Sequence, residues 1–260
     1  MLRLGRVSYI NTFPVEWALS RHLDPGEVRE VAAVPTELNR LLAAGELDVA
    51  NVSSIEYANN PERYVLLPSL CIGSDGAVES VQLVTQLPLP AVRSVAVTRD
   101  SATSVMLVRI LVPQAEILDQ DADADAKLLI GDAALRSAFA DPTPHHDLCV
   151  LWRERTGLPM VFAVWACLEP LADGLAELED ALVASVRRAR AEPEQLAFEA
   201  AERYGYPAGF LARYFEKLRY RFGPRERAGL YTFLELARDA GQLETVPELR
   251  FVQTTGAAVA

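Results

Sequence analysis

The fold can be predicted from Leu4–Pro14, a stretch that reads LGRVSYINTFP and changes character midway. Up to Val7 its side chains fit a buried strand, and from Ser8 onward they become polar. Pro14 favours the first turn of a helix, where its missing N–H group is not needed. Because a helix start leaves N–H groups without partners, the polar loop predicts a site for an anionic or carbonyl ligand. The alternative is a capped helix with no ligand.

Composition narrows the possible classes of protein. The chain has 260 residues, 50% of them hydrophobic, and a formal net charge of −11. This length predicts one large or two small domains with a substantial core, and no apolar run is long enough to span a bilayer. Such an acidic chain is a poor candidate for binding nucleic acid or an anionic membrane surface. Local groups would therefore have to hold any anionic ligand against the overall charge.

The cysteines indicate a reducing compartment. Cys71, Cys149 and Cys167 are odd in number and lie in apolar stretches, which favours buried thiols over a disulfide framework. No Cys or His spacing is typical of a zinc site, so we expect no metal. We expect no cofactor either. The first residues enter a strand directly, without the pattern of a signal peptide. We therefore expect a cytoplasmic protein.

A strand, a small polar loop and a helix follow one another at four places, near residues 8–13, 51–54, 98–104 and 131–134. Two of these joints precede the proline-rich junction at Pro88, and two follow it. Ligands of such α/β sheets bind outside the carboxyl ends of the strands. The pattern therefore predicts an α/β fold of two lobes whose joints face a shared cleft.

The same pattern gives the boundaries of the lobes. We assign residues 1–86 and 168–260 to a discontinuous lobe I, and residues 87–167 to lobe II. From Asp173 onward the spacing is helical, and three apolar stripes predict packing rather than chemistry. The stripes are Leu175, Leu178, Leu182 and Val186, then Leu211, Tyr214, Phe215 and Leu218, then Leu230, Phe233, Leu234 and Ala237.

Two helix starts carry more specific predictions. The first joint predicts a helix from about Pro14 to His22. At the second joint, Ser53 and Glu56 have the spacing of a capping box. This spacing favours a structural role for Glu56 over a catalytic one.

Four motifs in order give the chain a specific resemblance. They are RVSYINTFP at 6–14, DVANVSSIEY at 48–57, LIGDAAL at 129–135, and TGLPMVFA at 156–163 with Trp152 before it. Together they resemble the chorismate dehydratases of the futalosine route to menaquinone, over most of the chain from Arg3 to about Trp165. The resemblance implies a type-2 periplasmic-binding-protein fold with a ligand cleft between its lobes. It also implies that chorismate loses water to give 3-[(1-carboxyvinyl)oxy]benzoate.

The resemblance further implies site residues where the motifs match. Asn11 and Ser80 are the expected catalytic residues, with Asn11 bonding the reacting hydroxyl or a carboxylate. Substrate binding is expected of Ser8, Tyr9, Ser54, Thr103, Ser104, Gly131 and Asp132. Hydroxyls and N–H groups at helix starts can hold carboxylates without a full positive charge. The expected partner is the small-molecule substrate alone, bound by a monomer or homodimer.

The proton acceptor stays open at this point. Asp132 is one candidate, although a carboxylate at a helix start is more often a cap. The enolpyruvyl carboxylate of the substrate is the other candidate. His22, in a predicted helix, and His145 and His146, in a predicted surface loop, are not expected to take part.

Three alternatives remain beside the dehydratase. The nearest is the sister enzyme of the same pathway, which opens the ring of cyclic dehypoxanthine futalosine. That branch typically has a histidine after the strand that here ends in Ile130, and this chain has Gly131-Asp132 instead. A plain solute-binding protein would share the fold but would usually carry a secretion signal. A ligand-sensing regulatory domain would need an attached DNA-binding module, for which we identify no segment.

Overall fold

The computed structural model describes residues 1–23, 26, 28–140, 143, 145–168 and 175–252. The strands in these residues are β1 (Leu2–Val7), β2 (Val28–Ala33), β3 (Val49–Ser53), β4 (Tyr64–Ser74), β5 (Val81–Val84), β6 (Ser94–Ala96), β7 (Glu116–Leu118), β8 (Ala126–Ile130), β9 (His145–Asp147), β10 (Met160–Leu168) and β11 (Leu218–Arg221). The helices are α1 (Phe13–Glu16), α2 (Pro35–Ala43), α3 (Ser54–Asn59), α4 (Ala102–Leu111), α5 (Gly131–Ala140), α6 (Leu148–Thr156), α7 (Ala176–Ala191), α8 (Pro193–Tyr204), α9 (Ala208–Lys217) and α10 (Pro224–Asp239).

The strands form two separate sheets, one in each lobe. The first has the order β11-β4-β10-β3-β1-β2, and the second has the order β7-β6-β8-β5-β9. β1 pairs in parallel with β2 and β3, whereas β10 runs antiparallel between β3 and β4. The two-lobed α/β architecture predicted from the sequence is therefore confirmed.

The strand pairings show that both crossings between the lobes lie earlier in the chain than the boundaries predicted at residues 86/87 and 167/168. β5 pairs with β8 and β9, so the chain has already left the first sheet when it reaches Val81. β10 pairs with β3 and β4, so the chain is back in the first sheet by Met160, before the predicted boundary at 167/168. The apolar alternation of a strand does not show which partner it will pair with, and this is why both boundaries differ.

The helix predicted from Pro14 to His22 is wrong. Only α1 is α-helical there, between 3₁₀ turns at Ile10–Thr12 and Leu19–Arg21. The N–H group of Ala18 donates to the hydroxyl of Ser185, on α7, at 3.1 Å. A contact with a distant helix thus takes a backbone donor that a continuous helix would have used.

Two other local predictions also differ from the structure. Ser53 precedes α3 but makes no side-chain cap, and the Glu56 carboxylate accepts instead from Asn60 and Tyr64. His145 and His146 lie in β9, at the edge of the second sheet, rather than in a surface loop.

The three apolar stripes predicted after Asp173 are all buried, as packing requires. α7 contacts β4 and α1, and α10 contacts β10, so these helices cover the first sheet. No helix in the described part of the chain has both the length and the apolar character needed to cross a membrane.

Candidate active site

A cleft of about 540 Å³, including its open mouth, lies between the two sheets. Both lobes contribute to its walls, as predicted from the four strand–loop–helix joints. The lining residues are Val7, Tyr9, Asn11, Pro35, Asn51, Ser53, Ile72, Val78, Ser80, Val81, Ser101, Ser104, Ile130, Gly131, Phe162, Ala163 and Leu218.

The loop after β1 presents Asn11 to this cleft. The Thr12 hydroxyl holds the loop by donating to the carbonyl oxygens of Val7 and Tyr9, at 2.8 and 2.9 Å. Behind it, the buried Tyr220 hydroxyl donates to the Asn11 carbonyl at 2.7 Å. The backbone of Asn11 is thus fixed, while its amide oxygen is buried without a hydrogen-bond partner.

Asn51 and Ser53 line the cleft from β3 and were not among the predicted site residues. Alternate residues of a strand share a face, so both point to the cleft when the strand extends through Ser53. Ser53 accepts from Asn39 at 3.0 Å, but neither amide atom of Asn51 has a partner. Period-two alternation along β3 could have placed both residues on one face, and the tertiary structure shows that this face meets the cleft.

The prediction that Ser54 reaches the substrate is not supported by its position. Its hydroxyl donates to the Val161 carbonyl, on β10, at 2.8 Å, and Ser54 is not among the residues that line the cleft. Ser54 is the first residue of α3, so its side chain does not follow the alternation that directs Asn51 and Ser53 to the cleft.

Ser80 enters the cleft just before β5, beside the buried phenol of Tyr214. Its carbonyl accepts from the Gly131 N–H group at 2.8 Å, which joins two of the predicted site positions. Burial raises the pKa of Tyr214, and the neighbouring Ser80 side chain partly offsets this. The Tyr214 phenol is therefore uncharged at neutral pH.

The start of α4 supplies hydroxyls and a helix N-terminus. Ser101 caps the helix by accepting from the Ser104 N–H group at 3.2 Å, and the two hydroxyls lie 3.0 Å apart. Both serines line the cleft, where the helix dipole favours a negative charge. Thr103, which was predicted to bind substrate, instead accepts from the Ile55 N–H group at 3.2 Å. This bond places Thr103 at the start of α3.

One edge of the cleft is closed by contacts between the lobes. The Tyr9 ring packs against Gly131, and the Tyr9 hydroxyl donates to Asp100 at 3.5 Å. The Ile10 N–H group donates to the Asp132 carboxylate at 3.0 Å. Burial raises the pKa of Asp132, although the bond from Ile10 opposes this effect. Asp132 thus binds the opposite lobe instead of capping its own helix.

The cleft is electrically neutral in an acidic protein. Among the described residues, those that line it carry no formal charge, and their polar groups are hydroxyls, amides and backbone. In the same part of the chain, no group of three His, Cys, Asp or Glu side chains is placed to hold a metal ion.

The structure brings together five of the nine predicted site residues. The residues that line the shared cleft are Tyr9, Asn11, Ser80, Ser104 and Gly131. Ser54, Thr103 and Asp132 make the contacts given above, and the Ser8 side chain is exposed to solvent outside the cleft lining.

Comparison with known proteins identifies the family of the chain. A family model described as menaquinone biosynthesis matches residues 2–239. The chain belongs to the menaquinone biosynthesis family. The chorismate dehydratase of Thermus thermophilus is 34% identical over 262 residues, which cover 89% of this chain and 93% of that relative. The chorismate dehydratase of Campylobacter jejuni is 33% identical over 172 residues, which cover 65% of this chain and 68% of that relative.

Solved structures of other proteins share the fold of this member of the menaquinone biosynthesis family. A crystal structure of a protein from Archaeoglobus fulgidus has a TM-score of 0.76 and 19% identity, with 93% of this chain and 98% of that chain covered. The periplasmic aliphatic sulphonate binding protein of Escherichia coli has a TM-score of 0.66 and 15% identity, with 96% and 95% covered. The periplasmic-binding-protein-like fold predicted from the sequence is therefore confirmed.

Proposed function

We propose that this chain is a chorismate dehydratase of menaquinone biosynthesis. The observation that carries the proposal is its 34% identity with the Thermus thermophilus chorismate dehydratase over 89% of the chain. The cleft supports it, because Asn11 and Ser80, the two residues expected to be catalytic, face the same space.

The lining of the cleft suits a small dianion that carries a hydroxyl group. The start of α4, with Ser101 and Ser104, can bind a carboxylate through hydroxyls and the helix dipole. The Asn11 amide can bond the reacting hydroxyl. A neutral lining avoids the desolvation of a buried ion pair, which often costs more than the pair returns.

The reaction needs little covalent chemistry from the protein. The C4–O and C3–H bonds of chorismate break, a C3–C4 double bond completes the aromatic ring, and hydroxide and proton leave as water. Aromatisation supplies the driving force, so we assign the protein the roles of orienting the ring and stabilising the departing hydroxide. Orientation alone can lower a barrier by about 7–11 kcal/mol in favourable cases.

We assign the proton to the enolpyruvyl carboxylate of the substrate rather than to Asp132. The Asp132 carboxylate already accepts from the Ile10 N–H group and does not line the cleft. The substrate carboxylate lies on the group attached at C3, next to the hydrogen that leaves.

The alternative function, the ring-opening lyase of the same pathway, is less consistent with the packing around position 131. A Cβ atom at Gly131 would lie 2.8 Å from the Tyr9 ring, closer than real Cβ contacts. The histidine typical of that branch could enter here only if Tyr9 moved, so the packing favours the dehydratase.

The direct test is incubation of the purified protein with chorismate, followed by chromatography for 3-[(1-carboxyvinyl)oxy]benzoate. A parallel reaction with cyclic dehypoxanthine futalosine tests the lyase. Conversion of chorismate alone is the expected result. Conversion of the futalosine alone would establish the lyase, and binding of chorismate without conversion would establish a solute-binding protein.

A reducing compartment, the cytoplasm, fits the three cysteines, which are all free and buried. We propose a monomer or homodimer as the working assembly, to be distinguished by sedimentation of the purified protein.

A further inference from the structure

Asn51 is the most unusual polar residue of the cleft. Its side chain is 0% exposed, and neither its amide oxygen nor its amide nitrogen has a hydrogen-bond partner. Most buried polar groups in native proteins are paired, so an unpaired amide calls for a specific reason. Since Asn51 lines the cleft, a bound ligand can supply both missing partners.

The two halves of the amide specify what that ligand must offer. The nitrogen donates and the oxygen accepts, so a complete fit needs one acceptor and one donor side by side. A carboxylate offers acceptors alone and would leave the Asn51 oxygen unpaired. A hydroxyl next to an ether oxygen offers both.

Chorismate carries this pair of groups on adjacent carbons, a hydroxyl at C4 and the enolpyruvyl ether oxygen at C3. The aromatic product keeps the ether oxygen and has lost the hydroxyl. Binding of the product would therefore leave the buried Asn51 oxygen without a donor.

We propose that Asn51 is a specificity-determining residue that recognises the hydroxyl of the substrate and thereby disfavours the dehydrated product. The inference rests on the proposed function. Sites built to bond a hydroxyl discriminate strongly against analogues that lack it, because a buried group is then left unpaired. Asn51 thus favours release of the aromatic ring once water has left.

Asn39 gives a matched control for a purely structural role. It is a buried asparagine whose amide donates to the Ser53 hydroxyl at 3.0 Å and accepts from the Ser53 N–H group at 3.2 Å. Substituting it leaves the partners of its amide unpaired, whereas substituting Asn51 removes groups that had no partner.

Thermal unfolding of the ligand-free Asn51→Leu and Asn39→Leu proteins is the first measurement. Leucine has nearly the same shape as asparagine and needs no hydrogen bonds. The Asn51→Leu protein is expected to keep or raise the Tm, and the Asn39→Leu protein to lower it by several degrees. An equal loss of Tm in both variants would show that Asn51 is structural and would overturn the proposal.

Steady-state kinetics with added product is the second measurement. In Asn51→Leu we expect KM for chorismate to rise, so that kcat/KM falls by about 10²-fold, while Ki for 3-[(1-carboxyvinyl)oxy]benzoate stays the same or decreases. The ratio of Ki to KM should therefore collapse, whereas Asn39→Leu should keep the wild-type ratio. Asn51→Ala, which removes the same amide, provides the kinetic comparison where the leucine does not fit.

The outcomes separate the two proposals. A wild-type protein that leaves chorismate unchanged contradicts the proposed function. A wild-type protein that converts chorismate, combined with an unchanged Ki-to-KM ratio in both Asn51 variants, contradicts the role of Asn51 alone.

Discussion

Asn11 and Asn51 contribute the amide chemistry of the cleft, and both have amide oxygens that lack partners. Leaving a buried polar group unpaired costs about 1–3 kcal/mol. The unpaired amide groups destabilise the ligand-free protein, and a ligand with suitable donors and acceptors removes this destabilisation by pairing with them. Binding of such a ligand should therefore stabilise the folded chain.

Replacing Asn11 with alanine is expected to lower kcat for chorismate by about 10²–10³-fold, because one hydrogen-bonding group at the developing hydroxide is lost. The Tm should stay near that of the wild type, since the Tyr220 hydroxyl bonds the backbone carbonyl and not the side chain. Asn59→Ala, at an exposed position on α3, serves as the control. Turnover of Asn11→Ala at the wild-type rate would remove the main assignment of the site.

Asp132→Asn should keep most of the activity, because an amide oxygen can still accept from the Ile10 N–H group. If kcat fell nearly to zero while chorismate still bound, Asp132 would be the proton acceptor and our assignment to the substrate would be wrong. The measurement is kcat together with calorimetric binding of chorismate.

We also expect Asp132→Asn to change the pH dependence of the unfolding free energy. The pKa of Asp132 is raised in the folded protein by burial, so folding favours its protonated form. Its contribution to stability is therefore present below the unfolded pKa and is lost as pH rises through the folded pKa. We expect Asp132→Asn to gain stability relative to the wild type as the pH rises from about 3.8, the ordinary aspartate value. A constant difference in unfolding free energy across this range would contradict it.

The joint between β8 and α5 depends on a glycine. Gly131 has a φ of +54°, and a Cβ there would lie 2.8 Å from the Tyr9 ring of the opposite lobe. The joint thus couples two requirements, a left-handed backbone and room for an aromatic ring. Both are met because Gly131 has no side chain.

Gly131→Ala should be less stable than Gly157→Ala. Gly157 has only the left-handed backbone, whereas Gly131 also needs room for the Tyr9 ring, so the pair of variants separates the two requirements. Gly157 has a φ of +72° with no atom near its would-be Cβ, so alanine there adds backbone strain of about 1–2 kcal/mol. Gly131→Ala should cost about 1–3 kcal/mol more, because Tyr9 must move. Urea unfolding gives the comparison, and equal losses would show that the Tyr9 contact is not tight.

The first crossing between the lobes is held by Asp147, at the end of β9. Its carboxylate accepts from the N–H groups of Val78 and Glu79 at 2.8 and 2.7 Å and from the Gln82 amide at 3.0 Å. The other oxygen caps α6 through the Cys149 N–H group at 2.9 Å. One side chain therefore connects the crossing segment, β5 and a helix of lobe II.

Asp147→Ala is expected to destabilise the fold by about 3 kcal/mol and to raise KM for chorismate, because several donors lose their acceptor. Hydrogen exchange should accelerate at the Val78 and Glu79 amides. Asp125 is the control, since it accepts from the Arg93 and Ser94 N–H groups away from the crossing. Asp125→Ala should lower stability and leave KM unchanged. An unchanged KM in Asp147→Ala would show that the crossing does not control the cleft.

Local patterns in the chain were sufficient for the α/β class, for the strand that ends at Val7 and for the packing faces of the helices after Asp173. Each of these depends on spacing within a few residues, as in the buried stripe of Leu175, Leu178, Leu182 and Val186. The polar loop after β1 could also be found, because polar residues interrupt an apolar run there. The motifs then indicated the family, which the comparison with known proteins confirmed.

Long-range contacts determined the rest. The partner of β5, the acceptor of the Ser54 hydroxyl and the direction of the Asp132 carboxylate all depend on residues far away in the chain. A strand's alternation is the same whichever sheet it joins, and shifting its pairing register by one residue reverses the face that each side chain occupies. Asn51 was not predicted as a site residue, because an amide in a strand becomes part of a site only when a second lobe closes over it.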